Sequence, residues 1–293
     1  MTESTTFTLA DLREAAESLW PAATAESWDR VGLVTGRDDA PLRRVLLAVD
    51  AVRETVNEAV EWDASVLFTH HPLLLRGVNS IAEDTGKGAM LADLIRGDCA
   101  LFAAHTNADQ PEGGVSAVLA GQFGLVDARA IVPGTGSGDE HGTVAAVGVT
   151  GGAFGIGRVG SLAAPVSLSE FAETIASVLP ATVSGVRVAG DPGRLIRTVA
   201  LCGGAGDSLL DHPLVRLADV YVTSDLRHHP AQESLELSRA AGGPALIDIS
   251  HWAAESLWLD GAAVRLAELL PGVEFRVSGL RTDPWTFAVG CNA

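Results

Sequence analysis

The sequence predicts an α/β fold, built as two α/β domains with largely parallel sheets. Short apolar runs of strand length alternate with stretches of helical period along nearly the whole chain, which is the pattern of repeated βα units. The 293 residues exceed the roughly 100–200 of an ordinary domain, so two domains are expected. Hydrophobic residues make up 47% and charged residues 19%, which excludes a mainly disordered chain.

The elements alternate in chain order. The first predicted strand, 44–50, reads RVLLAVD, and helix 52–62 follows with apolar residues spaced three to four apart. The same criteria predict further strands at 65–69, 100–104, 143–149, 186–189, 199–202, 219–223, 245–249, 273–277 and 285–289. They predict further helices at 88–96, 115–124, 168–179 and from 251 towards 270. The segment 131–142 is rich in Gly, Pro and Ser, which indicates a domain boundary or a loop at the edge of the second domain.

The charge balance restricts the partners of this protein. Asp and Glu number 37 against 20 Lys and Arg, a net charge of −17, and this field disfavours broad nucleic-acid binding. No apolar stretch reaches the roughly 18 residues of a membrane span, and residues 1–4 lack the basic start of a signal peptide, so we expect a cytoplasmic protein with no membrane partner. The three cysteines form no CxxC pair, so any metal is expected to have nitrogen and oxygen ligands.

Polar residues gather where the predicted strands end. Ligands bind at the carboxyl edge of open parallel sheets, because loops and helix N-termini converge there. The residues at these strand ends are Asp50, His70, His71, His105, Asp109, Asp225, Asp248 and His251. This pattern predicts a single site.

Two of these groups follow neighbouring strands. His70 and His71 precede Pro72, which can turn both rings to one side, and adjacent imidazoles can ligate two neighbouring metals; alternatively they are solvated loop histidines. His105 and Asp109 suit a divalent ion of borderline hardness. His105 could instead orient a ligand through a hydrogen bond, and Asp109 could cap the next helix; we favour Asp109 as the direct ligand.

His251 and Glu255 form the third group. Their i, i+4 spacing at the start of an apolar helix places both side chains on one face, where a Glu can bridge two metals. The alternative is an ordinary helix-start Glu favoured by the macrodipole. The pair His228 and His229 has no matching acid and is interpreted as loop structure, and residues 203–206, Gly-Gly-Ala-Gly, are interpreted as a tight turn in preference to a phosphate-binding loop.

Seven motifs together give the chain a family resemblance. They are Trp28-Asp29-Arg30-Val31-Gly32-Leu33, Thr69-His70-His71-Pro72, His105-Thr106-Asn107-Ala108-Asp109, Gly155-Ile156-Gly157-Arg158-Val159-Gly160, Cys202-Gly203-Gly204-Ala205-Gly206, Thr223-Ser224-Asp225 and His251-x-x-x-Glu255. In this order they resemble the Nif-three-like dinuclear-metal proteins, also called GTP cyclohydrolase type 2 homologs. The family pattern differs at three positions, with Asn in place of Arg30 and Gly in place of Ser224 and Ser250.

The resemblance implies a homo-hexameric ring of two-domain α/β subunits, each with two divalent metal ions (Zn, Mn, Fe or Co). By motif position, the metal ligands are His70, His71, Asp109, His251 and Glu255, with Glu255 as the bridge. Because these ligands must meet, we expect the C-terminal segment to complete the first domain. The predicted limits are 7–127 plus 243–293 for the metal-binding domain and 128–242 for the second domain.

The resemblance also implies a function class. A dinuclear centre suits hydrolysis, so we expect a metal-dependent hydrolase resembling GTP cyclohydrolase type 2 homologs, acting on a small molecule of nucleotide or phosphoester type. The alternative is a non-catalytic, metal-binding hexameric scaffold or chaperone-like interaction protein. Nothing in the sequence specifies guanine, and no catalytic residue or organic cofactor is assigned.

Overall fold

Strands and helices alternate as the sequence predicts. In the computed structural model, which describes residues 6–134 and 154–290, the strands are β1 Gly32–Thr35, β2 Arg44–Ala48, β3 Val66–Thr69, β4 Ala100–Ala103, β5 Leu125–Arg129, β6 Val132–Pro133, β7 Gly155–Ile156, β8 Arg158–Ser167, β9 Arg187–Ala189, β10 Leu195–Ala205, β11 Val220–Ser224, β12 Ala245–Ile249 and β13 Glu274–Val277. The helices are α1 Leu9–Leu19, α2 Arg53–Glu61, α3 Gly86–Arg96, α4 Thr106–Asp109, α5 Val115–Gln122, α6 Leu168–Val178, α7 Pro213–Arg216, α8 His228–Ala241 and α9 His251–Leu269.

The chain divides into two units. The first contains the described residues of Met1–Ala108 together with Leu259–Thr282, and the second contains those of Asp109–Trp258 and Asp283–Ala293. Each unit has its own sheet, so the predicted α/β class with two sheets and mostly parallel strands is confirmed. Among the described helices, none is long and apolar enough to cross a membrane.

The first unit has a five-stranded sheet in the order β1-β4-β3-β2-β13. Strands β4, β3, β2 and β13 run parallel to one another, and β1 pairs antiparallel with β4. The residues of β3 are fully buried, as expected for a parallel strand covered on both faces. The apolar side chains of Leu46, Val56, Leu67 and Leu94 pack in one core cluster, which fixes the sheet against its helices.

The second unit has a six-stranded sheet in the order β5-β8-β10-β11-β12-β9. Strands β10, β11 and β12 are parallel, and β5, β8 and β9 pair antiparallel. The apolar face of α6, including Phe171 and Ile175, is buried, and the helix begins at a capping box between Ser167 and Glu170. The parallel strands are central, so their carboxyl ends lie at one edge of this sheet.

The predicted first domain includes residues 243–293, but the structure distributes this segment between the two sheets. Strand β12 pairs with β11 and β9 in the six-stranded sheet, whereas β13 pairs with β2 in the five-stranded sheet. Strand β12 (ALIDI) is mostly apolar and β13 (EFRV) alternates charged and apolar residues, but neither pattern by itself indicates which sheet the strand joins. The C-terminal strand β13 therefore completes the first sheet, but β12 belongs to the second.

Several local predictions change in the structure. Residues 285–289 form no strand, and Trp285, Phe287 and Val289 are exposed. His228 and His229, interpreted as loop residues, instead begin α8. Pro230 is tolerated in the first turn of this helix, because the first N–H groups of a helix have no acceptor within it and the proline lacks an N–H. The sequence pattern does not predict β1, β5 or β8. The predicted strand 143–149, most of the segment 131–142 and Cys291 lie outside the described residues.

Candidate metal centre

His70 and His71 follow directly after β3. Their backbone N–H groups donate to the carbonyls of Ala48 and Val49, which prolongs the parallel pairing with β2 for two residues. The His70 ring is fully buried and its Nδ1 lies 2.8 Å from the carbonyl oxygen of Ala104. The two imidazole centroids are 5.2 Å apart. The two adjacent rings therefore lie close together, as the sequence predicts.

His105 joins these two rings at the end of β4. Its centroid lies 5.2 Å from that of His70 and 5.4 Å from that of His71. One ring nitrogen from each of the three histidines lies within 4.8 Å of the others, so this group could hold a metal ion. We call His70, His71 and His105 the histidine triad. The sequence prediction favours Asp109 over His105 as the ligand from this segment, but the structure places His105 within the triad.

The histidines of the triad are oriented by oxygen acceptors. His71 Nδ1 lies 2.7 Å from Oδ1 of Asp50, and the other carboxylate oxygen of Asp50 accepts from the Thr282 hydroxyl. His105 Nδ1 lies 2.8 Å from Oδ1 of Asp29. A carbonyl or an ionised carboxylate can only accept, so each Nδ1 donates and the neutral ring has its lone pair on Nε2. This tautomer is the one that a metal ligand needs.

Asp29 is the most strongly held of these acceptors. Its carboxylate is buried and also accepts from the Thr106 N–H at 3.0 Å and the Thr106 hydroxyl at 2.5 Å. Burial alone raises the pKa of Asp29, but the hydrogen bonds from His105 and Thr106 outweigh it and hold the pKa well below its usual range. The carboxylate is therefore ionised and fixes the His105 ring.

In the second unit, His251 and Glu255 lie one turn apart at the start of α9. Ser250 caps this helix, since its hydroxyl accepts from the Ala253 N–H at 3.2 Å and donates to the Asp283 carboxylate at 2.6 Å. His251 Nε2 is 2.8 Å from Oε1 of Glu255, whose side chain is buried. The predicted pair thus converges on one face of the helix.

A second carboxylate faces the other side of the His251 ring. His251 Nδ1 lies 2.7 Å from Oδ2 of Asp225, which follows β11 with a φ of 57°. The hydrogen bond from His251 lowers the pKa of Asp225. Each nitrogen of this imidazole therefore lies within hydrogen-bond distance of a carboxyl group.

The glycine-rich segment 203–206 passes directly beside this pair. Gly204, with a φ of +69°, lies where a Cβ would be 2.9 Å from Oε1 of Glu255 and 3.4 Å from Nε2 of His251. The segment continues β10 through Ala205. Gly204 therefore lets the backbone approach the His251–Glu255 pair.

Asp109 is the last residue of α4, and its charge acts on the same buried thiol, Cys202, as the charge of Glu255 does. Burial raises the pKa of the Cys202 thiol to about 12, and the charges of Asp109 and Glu255 contribute to this rise. The buried Arg158 supports this region, because its guanidinium donates to the carbonyls of Gln110 and Pro111 at 2.9–3.0 Å. Asp109 and Glu255 thus both place negative charge near Cys202.

Sequence reasoning missed the acceptors that orient the rings. It places Asp50 and Asp225 at strand ends without indicating a role for them, and Asp29 only within a motif. Asp29 and His105 are 76 residues apart, so no local spacing relates them. For Asp50 and Asp225 the available signal was their position at the end of a strand that neighbours a strand followed by histidine, whereas Asp29 precedes β1 and has no such signal.

Known proteins are similar to this chain over nearly its whole length. The Duf34/NIF3 family (NGG1p interacting factor 3) matches residues 7–284. A "GTP cyclohydrolase 1 type 2 homolog" of Streptomyces coelicolor is 45% identical over 282 residues, covering 95% of this chain and 93% of the relative. One of the same name from Mycobacterium tuberculosis is 36% identical, covering 94% of this chain and 96% of the relative.

Solved structures are similar as well. A Bacillus cereus protein related to NIF3 has a TM-score of 0.83 at 26% identity, with coverage of 96% of this chain and 99% of that one. A Staphylococcus aureus protein has a TM-score of 0.81 at 29% identity, with the same coverage. Together with the family match and the histidine and glutamate groups that could hold a metal ion, these similarities establish that the chain belongs to the Duf34/NIF3 family.

Proposed function

We propose that this protein is a metal-dependent hydrolase with a dinuclear centre. The proposed ligands are those that the family resemblance implies: His70, His71, Asp109, His251 and Glu255. The observation that carries the proposal is the orientation of the imidazoles, since the proposed ligands His70, His71 and His251 each direct Nδ1 at an oxygen acceptor. Such outer acceptors are what fixes and strengthens histidine ligands in metal sites.

The donor set fits a divalent ion of borderline hardness. Imidazole nitrogens with carboxylate oxygens suit Zn, Mn, Fe or Co, and the buried thiol of Cys202 has a pKa of about 12, which disfavours thiolate ligation. The position of Glu255 supports its role as the bridge, because its buried carboxylate lies 2.8 Å from Nε2 of His251. The charge of a bound cation would satisfy the two carboxylates that flank the His251 ring.

Hydrolysis is the reaction class that this centre supports best. Two bound divalent ions supply Lewis acidity and lower the pKa of water. Asp50 and Asp225 would orient the ligands His71 and His251, and Asp29 would hold the neighbouring His105 ring. The proposed substrate is a small molecule of nucleotide or phosphoester type. The name shared by the Streptomyces and Mycobacterium relatives supports this class. We also propose a homo-hexamer, as the resemblance implies.

Metal content and turnover test this function. The wild-type protein, loaded separately with Zn, Mn, Fe or Co and desalted, is expected to retain two ions per chain and to hydrolyse at least one member of a panel of nucleotides and phosphoesters. Glu255→Ala should lose turnover while its native mass stays that of the wild type. A wild-type chain that retains no metal contradicts the proposal. Two retained ions without turnover on any panel member would instead favour the non-catalytic scaffold.

A further inference from the structure

An exposed tryptophan borders the histidine triad. Trp28 is 54% exposed, and its ring centroid lies 5.9 Å from that of His105, with the ring planes 77° apart. What distinguishes Trp28 from the other exposed aromatic side chains, such as Trp285, is its contact with an imidazole of the triad. The indole offers a flat apolar face next to the imidazoles.

The backbone that carries this indole is firmly anchored. The next residue, Asp29, is 6% exposed and accepts hydrogen bonds from His105 Nδ1, from the N–H and hydroxyl of Thr106, and from the Arg30 N–H at 2.7 Å. A fixed backbone beneath the indole reduces the conformational freedom that is lost when a ligand stacks on it, which favours affinity. The backbone next to Trp28 is therefore held in place, while the ring faces solvent.

A positive charge lies on the same stretch of chain. Arg30 is exposed, and its Nη1 donates to the carbonyl oxygen of Asp29 at 2.5 Å. Within the part of the chain that the structure describes, Arg30 forms no ion pair with a carboxylate. A guanidinium has five N–H donors in a planar fork that matches phosphate, so most of them remain for an anion. Although the whole chain has a net charge of −17, the positive charge of Arg30 attracts a negative ligand locally.

We propose that Trp28 and Arg30 recognise a heteroaromatic ring that carries a phosphate, as in a nucleoside monophosphate. Trp28 stacks on the ring and Arg30 pairs with the phosphate. This specificity site rests on the proposed function, because it presents such a ligand to the triad. A second copy of the chain is the other possible occupant. The ring ligand is favoured because a partner chain seated on Trp28 would also cover the imidazoles.

Three probes separate the two contacts. Guanosine 5′-monophosphate has both ring and phosphate, guanosine only the ring, and ribose 5-phosphate only the phosphate. Calorimetric titration of the full-length protein should show that Trp28→Ala weakens the binding of both guanosine compounds at least about fivefold and leaves ribose 5-phosphate unchanged. Arg30→Gln should weaken the two phosphates and leave guanosine unchanged. Trp28→Phe, which keeps an aromatic face, should stay within about threefold of the wild type.

Matched variants control for exposure and charge. Trp285 is 64% exposed and Arg37 pairs only loosely with Asp39, at 3.6 Å, so Trp285→Ala and Arg37→Gln should bind all probes as the wild type does. The proposal is overturned if guanosine 5′-monophosphate does not bind the wild type at millimolar concentration, or if Trp28→Ala does not weaken its binding. A changed native mass of Trp28→Ala with intact nucleotide affinity would show a contact between copies instead.

Metal analysis of the same preparations distinguishes this proposal from the proposed function. Binding that depends on Trp28 in a wild-type chain that retains no metal would support the ring-and-phosphate site and contradict the dinuclear centre. If the wild type retains metal and Trp28→Ala leaves the affinity for guanosine 5′-monophosphate unchanged, only the ring-and-phosphate site is contradicted.

Discussion

His105 donates through Nδ1 to a carboxylate oxygen of Asp29 at 2.8 Å, and this carboxylate is almost completely buried. Such a pair fixes both the tautomer and the orientation of the imidazole. The same relationship recurs between His71 and Asp50 and between His251 and Asp225. These carboxylates therefore determine which ring nitrogen of each histidine is left for another partner.

Replacing Asp29 by Asn should destabilise the protein and loosen the site. The variant loses charge-assisted hydrogen bonds in a buried position, a cost of about 1–3 kcal/mol in the free energy of unfolding, measured by urea denaturation. Because folding lowers the pKa of Asp29, its stabilisation is present above the ordinary value of 3.8 and is lost as the pH falls below it. The free energy of unfolding of the Asp29→Asn variant should therefore fall less steeply than that of the wild type as the pH decreases below about 4. An unchanged pH dependence would contradict this assignment.

Metal binding should need His71 and Glu255 more than His105. A deleted ligand removes a coordinate bond, whereas a group that acts through other ligands changes affinity by roughly 10–100-fold. We would measure bound metal at moderate salt, which screens stray cations from the acidic surface, for His71→Ala, Glu255→Ala and His105→Ala. The His105 variant should still fill at high metal concentration. If it stays as empty as the other two, His105 belongs among the ligands.

Gly204→Ala should disturb the His251–Glu255 pair. The new Cβ would lie 2.9 Å from Oε1 of Glu255, and the φ of +69° adds backbone strain of about 1–3 kcal/mol. Gly124→Ala is the matched control, because Gly124 has a φ of +76° and a Cβ added there would meet open space within 4 Å. Both variants should lower the melting temperature, but only Gly204→Ala should weaken metal binding, by roughly tenfold or more. Equal metal affinity in the two variants would argue against the close approach.

Arg158→Met should be strongly destabilising. Arg158 is 2% exposed and donates to the carbonyls of Gly155, Gly157, Gln110 and Pro111. Burial lowers the pKa of its guanidinium to about 10. Removing the guanidinium breaks these four hydrogen bonds in a buried position, so the free energy of unfolding should fall by about 3 kcal/mol or more. Arg197→Met, on the exposed face of β10, should change it by about 0.5 kcal/mol or less.

The thiols of Cys99 and Cys202 should be unreactive in the folded protein. Both are buried, and burial raises both pKa values to about 12, so the thiolate fraction at pH 8 is on the order of one in ten thousand. In a Cys291→Ser variant, Ellman's reagent should label both thiols only after denaturation. Rapid labelling of either thiol under native conditions would show that the structure around that thiol opens to solvent.

The sequence by itself determined the features that depend on short spacing. The parallel strands of the first sheet were predictable because β2, β3 and β4 are continuous apolar runs, which only burial on both faces explains. The position of histidines and acids at strand ends followed from the same runs, and His251 and Glu255 lie on one helix face because of the helical period. The family resemblance also required nothing beyond the order of the motifs.

The tertiary structure decided what depends on long-range contacts. It selected the sheet that each C-terminal strand joins, because the pairing of β12 and of β13 depends on the partner strand and not on the strand's own residues. It also selected Asp29 as the partner of His105 and left residues 285–289 outside any strand, although they alternate as a strand does. Local preference fixes which elements can form, but the burial of charges and the pairing of strands depend on residues far apart in the chain, and these are determined only when the chain packs.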